Sequence, residues 1–221
     1  MIERQFYTKK RGGGWRRRNP CILIIAEGKN KTERRYFNSF NRQNSGFVIH
    51  AVGREGVTDP EGMMHLFDSE WEIQELNSKR GDIGYIVLDL DCDSSKGKTI
   101  NTIQHANPHV DFIVSNPCFE VWFLMHYGPS TRSFANSAAV ITALKKHMPD
   151  YQKNLNNVSG TIGTIMSHVE DALKNAVNIS ASYPGCIWPS NQCNPRTDVP
   201  TVVQEIKNRY LKRRLKWPPV I

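Results

Sequence analysis

An α/β fold is what this sequence predicts, with a central, mostly parallel sheet of about four strands and a helical C-terminal half. Three observations lead there. The short apolar runs "CILIIA" (21–26), "FVIHAV" (47–52), "IGYIVLD" (83–89) and "VDFIVS" (110–115) have the length and continuity of buried parallel strands. The segments between them are long enough to cross back over a sheet, and two are patterned as helices. Beyond residue 116 the strand signal fades and helical periodicity replaces it.

Taken in order, residues 1–19 form a basic lead segment, and 20–221 read as a single domain. After the first strand, "TERRYFNSF" (32–40) sets Tyr36, Phe37 and Phe40 on one helical face. "TDPEGMMHLFDSEWEIQEL" (58–76) reads as a helix opened by Thr58, with Pro60 in its first turn and Glu61 at capping-box spacing. "NPCFEVWFLMHY" (116–127) offers Asn116 as N-cap and Pro117 as first helical residue. Helices are expected over 137–147 and 161–178, the second with Ile162, Ile165, Met166, Val169, Leu173, Ala176 and Val177 in one stripe. "SYPGCIWPSNQCNPRTDVP" (182–200) is a loop, long for a mere connection. A basic amphipathic helix over about 201–214 closes the chain.

The formal charge of +8 is unevenly placed. Residues 1–18 hold seven Lys/Arg against one acid, and "KNRYLKRRLK" (207–216) holds six against none, so the middle of the chain is acidic. Basic ends of this kind suit a phosphate backbone, because neutralising phosphates releases condensed counterions. They serve equally as solubilising arms. Arg16, Arg17, Arg18, Lys96, Lys98, Lys212, Arg213 and Arg214 are the candidate nucleic-acid contacts. Five cysteines form no CxxC pair, and an odd count without a signal peptide points to reduced thiols in a cytoplasm. Apolar runs fall short of a membrane span, so no membrane partner is expected.

"IVLDLDCDSS" (86–95) carries Asp89, Asp91 and Asp93 where a strand should end. In extended chain, positions i and i+2 face one way, so Asp89 and Asp91 would share a site. Two such carboxylates stay ionised together most easily when a cation joins them, and oxygen-only ligands favour Mg²⁺ or Mn²⁺. Glu27 ends the first strand directly after "ILIIA", which would bring it to the same edge if the two strands are neighbours. The plainer reading makes "DCDSS" a polar turn that caps the following helix. A calcium loop starting at Asp89 fails on Ser94 and Ile100, and a phosphate loop ending in "GKT" fails on Cys92. Glu120 sits among Phe119, Val121, Trp122, Phe123 and Leu124, and a carboxylate there must find a partner or take up a proton. An arginine or backbone partner and a role at the metal site stay level for it.

"ILIIAEGKNKTERRYF", "IVLDLDCD", "SNPCFEVWFLMHY" and the late "NPRT" together resemble the RloB-like (AbiLii-like) family of bacterial defence proteins, over about residues 20–205. The resemblance implies a Toprim-like domain and a metal-dependent nuclease acting on DNA or RNA in phage defence or abortive infection. It also implies a partner ATPase of the ABC type. Glu27 would be the general acid/base or a metal ligand, and Asp89 and Asp91 the metal-binding pair; Asp93 extends the motif as in some Toprim enzymes. The glycine-led segment after Glu27 is one residue longer than the family form. A non-catalytic module that binds nucleic acid or the ATPase is the rival reading, nucleotidyl transfer is a third, and a homo-oligomer is left open.

Overall fold

The computed structural model describes residues 18–28, 31–153 and 158–219. Its strands are β1 (Cys21–Ala26), β2 (Val48–Val52), β3 (Ile83–Asp89), β4 (Asp111–Asn116) and the two-residue β5 (Arg196–Thr197), in sheet order β2-β1-β3-β4-β5. The first four run parallel, as the apolar runs predict. β5 is an addition: "NPRT" pairs antiparallel with the end of β4, Ser115 opposite Thr197 and Asn116 opposite Arg196. The architecture is α/β with a helical C-terminal half, consistent with a Toprim-like fold.

Burial on both faces explains why these strands carry continuous apolar runs. Along β1, Ile22 and Ile24 point into one core, while Cys21, Leu23 and Ile25 point into the other. The second core is closed by α2 (Pro60–Ile73) through Met63, Met64, Leu66 and Phe67, and by Ile100 of α3 (Ser94–Ala106). The first and larger core lies under α1 (Lys31–Asn38), α4 (Glu120–Leu124), α5 (Ser137–Leu144), α6 (Val158–Ser167), α7 (Val169–Ala181) and α8 (Val199–Lys212). Each fully buried Ile, Leu or Phe there contributes about 1.5–3 kcal/mol. Tyr36, Phe37, Phe119 and Phe123 meet edge to face at its centre, and the Trp122 Nε1–H donates to the Tyr36 hydroxyl at 2.8 Å.

Several local expectations are corrected. The cap of α2 is Asp59, whose Oδ1 accepts from the Gly62 amide at 2.8 Å; Thr58 lies one residue outside. Asn116 does not cap a helix: it is the last residue of β4, and α4 begins four residues later. The stripe over 161–178 belongs to two helices, broken at His168. Most consequential, the long loop is cross-linked: Cys186 and Cys193 form a disulfide, against the expectation that all thiols are reduced. The bridge closes a short loop with a sequence separation of 7, and Cys21, Cys92 and Cys118 stay free. Among the described residues no helix is long and apolar enough to cross a membrane.

Candidate active site

β1 and β3 are sheet neighbours, with Ala26 in register with Val87, so Glu27 and Asp89 emerge at one edge. There the Asp89 amide donates to Glu27 Oε2 at 3.0 Å. By the two-residue period Asp89 shares the strand face of Tyr85 and Val87, which point into the larger core. Its Oδ1 accepts from the Phe119 amide at 2.8 Å, and the residue is 7% exposed. Burial holds its carboxyl well above the ordinary range, and the charges of Glu33, Glu120 and Glu27 push the same way, with Lys153 opposing.

Asp91 lies past the end of the strand, so the two-residue period by which it was expected to share a face with Asp89 does not reach it. The strand ends at Asp89, and Asp91 and Cys92 adopt left-handed φ of 55° and 60°, so the period of two no longer applies. Such backbone in non-glycine residues costs about 1 kcal/mol each and must be held from outside. It is held by the Asp91 amide donating to Pro117 O at 2.9 Å, the Cys92 amide to Asn116 Oδ1 at 3.2 Å and the Asp93 amide to Leu90 O at 2.9 Å. The Asp91 side chain is 53% exposed and pairs with Lys96, whose Nζ lies 3.3 Å from Asp91 Oδ2 and 3.5 Å from Glu27 Oε1. Lys96 thus joins the two carboxylates that Asp89 does not bring together.

Asp93 is the N-cap of α3. Its Oδ1 accepts from the Ser95 hydroxyl at 2.6 Å and from the amides of Ser95 and Lys96 at 2.7 and 3.3 Å, and the Ser95 bonds lower its carboxyl from the ordinary value. The plainer reading of "DCDSS" therefore describes Asp93, while Glu27 and Asp91 open onto a cleft. That cleft, of about 450 Å³, is also lined by Thr58, Asp59 and Glu61 from the start of α2 and by Asp93, Ser95, Lys96 and Thr99. Five acids face one lysine there.

Beneath the cleft lies a second layer of acids. Glu120 is 1% exposed; its Oε1 accepts from the Tyr151 hydroxyl at 2.9 Å, and its Oε2 has no hydrogen-bond partner among the described residues. Its nearest partner is thus a tyrosine hydroxyl, neither the arginine nor the backbone amide weighed from the sequence. Glu33, on the inner face of α1, was not singled out by the sequence reading. It is 3% exposed, its Oε2 also lacks a hydrogen-bond partner among the described residues, and burial with the nearby charges of Glu120 and Glu27 pushes its carboxyl up to about 8, its own amide and Lys153 opposing. Glu33 precedes Tyr36 and Phe37 by three and four residues, so the apolar face of α1 already held the signal. Half-buried Lys153 answers these groups: burial alone would lower its ammonium, but Glu120 and Asp89 raise it. His126, by contrast, is core: its Nδ1 lies 3.0 Å from Trp122 O, and burial pushes it down to about 4.

The candidate donors are carboxylate oxygens, and two buried ones have no hydrogen-bond partner among the described residues, which suits a hard cation. Among the described residues, however, no group of three His, Cys, Asp or Glu is arranged to enclose a metal ion. The donor set fits Mg²⁺ or Mn²⁺; a closed coordination shell is not preformed.

The basic candidates fall elsewhere. Arg16 and Arg17 lie outside the described residues. Arg18 pairs at 2.7 Å with buried Asp82, which also accepts the Cys21 amide at 2.7 Å, so it anchors the start of β1. Lys98 is exposed on α3, away from the lining of the cleft. Lys212 and Arg213 line a pocket of about 600 Å³ with Pro20, Phe47 and Gly81, each just before a strand, and Arg214 is exposed beyond the end of α8. That is the opposite end of the sheet from Glu27 and Asp89. Over six strand residues at about 3.3 Å each the separation is roughly 20 Å.

A family model described as RloB-like protein matches residues 22–206. No curated protein and no solved structure matches the chain.

Proposed function

The chain belongs to the RloB-like protein family, and from that premise we propose that it is a metal-dependent phosphodiesterase acting on nucleic acid. The observation that supports this most is the acid cleft at the carboxyl ends of β1 and β3, where five acids face one lysine. A phosphate meets net repulsion in such a cleft unless a cation comes with it. Glu27, Asp89 and Asp91 would hold Mg²⁺ or Mn²⁺, whose chemistry there is to polarise the scissile phosphate and offset charge on the attacking and leaving oxygens.

Around that centre the chain's own groups have distinct tasks. Lys96, already between Glu27 and Asp91, is the cation that can turn to a phosphate oxygen when the carboxylates find another partner. Glu120 and Glu33 lie close enough to Asp89 for their charges to act on it, and a cation beside Asp89 would relieve that crowding. Lys212, Arg213 and Arg214 hold the strand at a distance from the cleft. The family resemblance extends the proposal to anti-phage defence in a cytoplasm beside an ABC-type ATPase.

Cleavage of DNA and RNA with Mg²⁺ or Mn²⁺ tests the reading. Asp89→Ala should abolish metal-dependent cleavage while circular dichroism stays that of the wild type. Undiminished cleavage by that variant removes the assignment. One observation favours the rival reading of a non-catalytic binding module: no three acids converge among the described residues, and Lys96 stands where a cation would. No Mn²⁺ binding and no cleavage, even beside the ATPase, would favour that module.

A further inference from the structure

The turn that presents Asp91 is fastened to the disulfide-closed loop chiefly through the side chain of Asn116. Asn116 is fully buried at the end of β4. Its Oδ1 accepts the Cys92 amide at 3.2 Å, in the middle of the left-handed turn. Its Nδ2 donates the other way, to Cys193 O at 3.0 Å and Ser190 O at 3.3 Å, both within the loop closed by Cys186 and Cys193. A second strut runs beside it. Asn194 Nδ2 donates to Phe134 O at 2.8 Å and lies 3.4 Å from Cys92 Sγ, and the Phe134 amide donates back to Asn194 Oδ1 at 3.1 Å. The loop is also pressed on α3: a Cβ at Gly97 would stand 2.6 Å from Pro189 O.

We propose that Asn116 is a positioning residue that transmits the state of the Cys186–Cys193 loop to the carboxylate turn, so that reducing the disulfide weakens cation binding at Asp91. Two adjacent left-handed residues relax unless their amides are held, and the amide in the middle of the turn is held by Asn116. Asn116 in turn is placed by two loop carbonyls, and the cross-link restricts how far those carbonyls can move. The redox step balances simply. A dithiol gives one hydrogen to each of Cys186 Sγ and Cys193 Sγ, the bond between them breaks, and the dithiol closes to its own cyclic disulfide.

The inference rests on the metal reading of the site for its consequence, though not for the brace itself, and two readouts on the full chain separate them. Hydrogen exchange at the Cys92 and Asp93 amides reports the brace, and Mn²⁺ affinity by electron paramagnetic resonance reports the site. Dithiothreitol, or Cys186→Ser at a half-exposed position that leaves no polar group buried, should speed exchange at Cys92 and weaken Mn²⁺ about tenfold. Asn116→Ala should do the same, and combining it with Cys186→Ser should add little, since both act on the Cys92 amide through Asn116. Additive losses, or exchange at Cys92 that ignores reduction, overturn the inference. If Asn116→Ala fails to fold, Cys186→Ser and dithiothreitol decide it alone. Wild type that binds no Mn²⁺ would sink the metal reading and the affinity arm, leaving exchange to judge the brace.

Discussion

Glu33 shows what a single residue does to this molecule. Unfolded, its carboxyl has the ordinary value of 4.5; folded, it stands at about 8. Between those values the folded chain binds more protons than the unfolded one, so this group's contribution to stability falls as pH rises from 4.5 to 8 and is level above. His126 has the opposite sign: lowered to about 4 from 6.5, it makes stability rise with pH between those values. Comparing wild type with Glu33→Gln isolates the first effect. In thermal unfolding without divalent cations the variant should be more stable at pH 8 by about 2–4 kcal/mol, with the gap closing by pH 5. A variant no more stable than wild type at pH 8 would show that Glu33 is not held protonated. Asp93 offers a second residue-scale test: Asp93→Asn keeps an acceptor for the Ser95 amide, whereas Asp93→Ala should lower the melting temperature by ~3 °C. Glu27 and Asp89 were legible because strand ends are marked by where apolar runs stop. Glu33 carried its signal only in its spacing to Tyr36 and Phe37, and its immediate neighbours Arg34 and Arg35 make it look like the polar side of a helix.

At the scale of elements, α3 was legible from its capping turn and not from any periodic stripe. "SSKGKTINTIQHA" buries only Gly97 and Ile100, too little for a periodic stripe, and its start is set by the Asp93 cap. What fixes it in place is contact with the loop. Gly97→Ala should destabilise the protein by about 1–3 kcal/mol, because the new methyl meets the Pro189 carbonyl, which is backbone and cannot turn aside. A chemical denaturation midpoint unchanged by Gly97→Ala would mean that the loop yields. α4 shows the reverse difficulty. Asn followed by Pro is a helix-start signal over neighbouring residues, yet Asn116 is engaged with Cys92 and Cys193, 24 and 77 positions away. Long-range partners of that kind leave no mark on local spacing. The strands and their order of appearance were legible for the opposite reason, since burial on both faces writes itself directly into composition.

Across the whole molecule, acid and base are sorted to opposite ends of one sheet. The acid cleft opens beyond the carboxyl ends of the strands, and the pocket of Lys212 and Arg213 lies before their amino ends. For the nucleic acid proposed as substrate, the fold says how far a strand must reach: roughly 20 Å. Lys212→Ala with Arg213→Ala should weaken binding of single-stranded oligonucleotides several-fold at low salt and flatten the salt dependence, while leaving Mn²⁺ affinity unchanged. Binding that keeps its full salt slope in this variant would place the contacts elsewhere. The sequence located both charged groups, but only the parallel direction of β1, β2 and β3 reveals that they stand apart. Such sorting makes the sheet axis an electric dipole. A polyanion drifting toward the protein exerts a torque before it touches, turning the lysine end forward and the carboxylates away. Under the proposed function the order of events in an encounter would then follow the direction of the strands: capture first, and delivery to the acids only by a strand long enough to bend around the edge of the sheet.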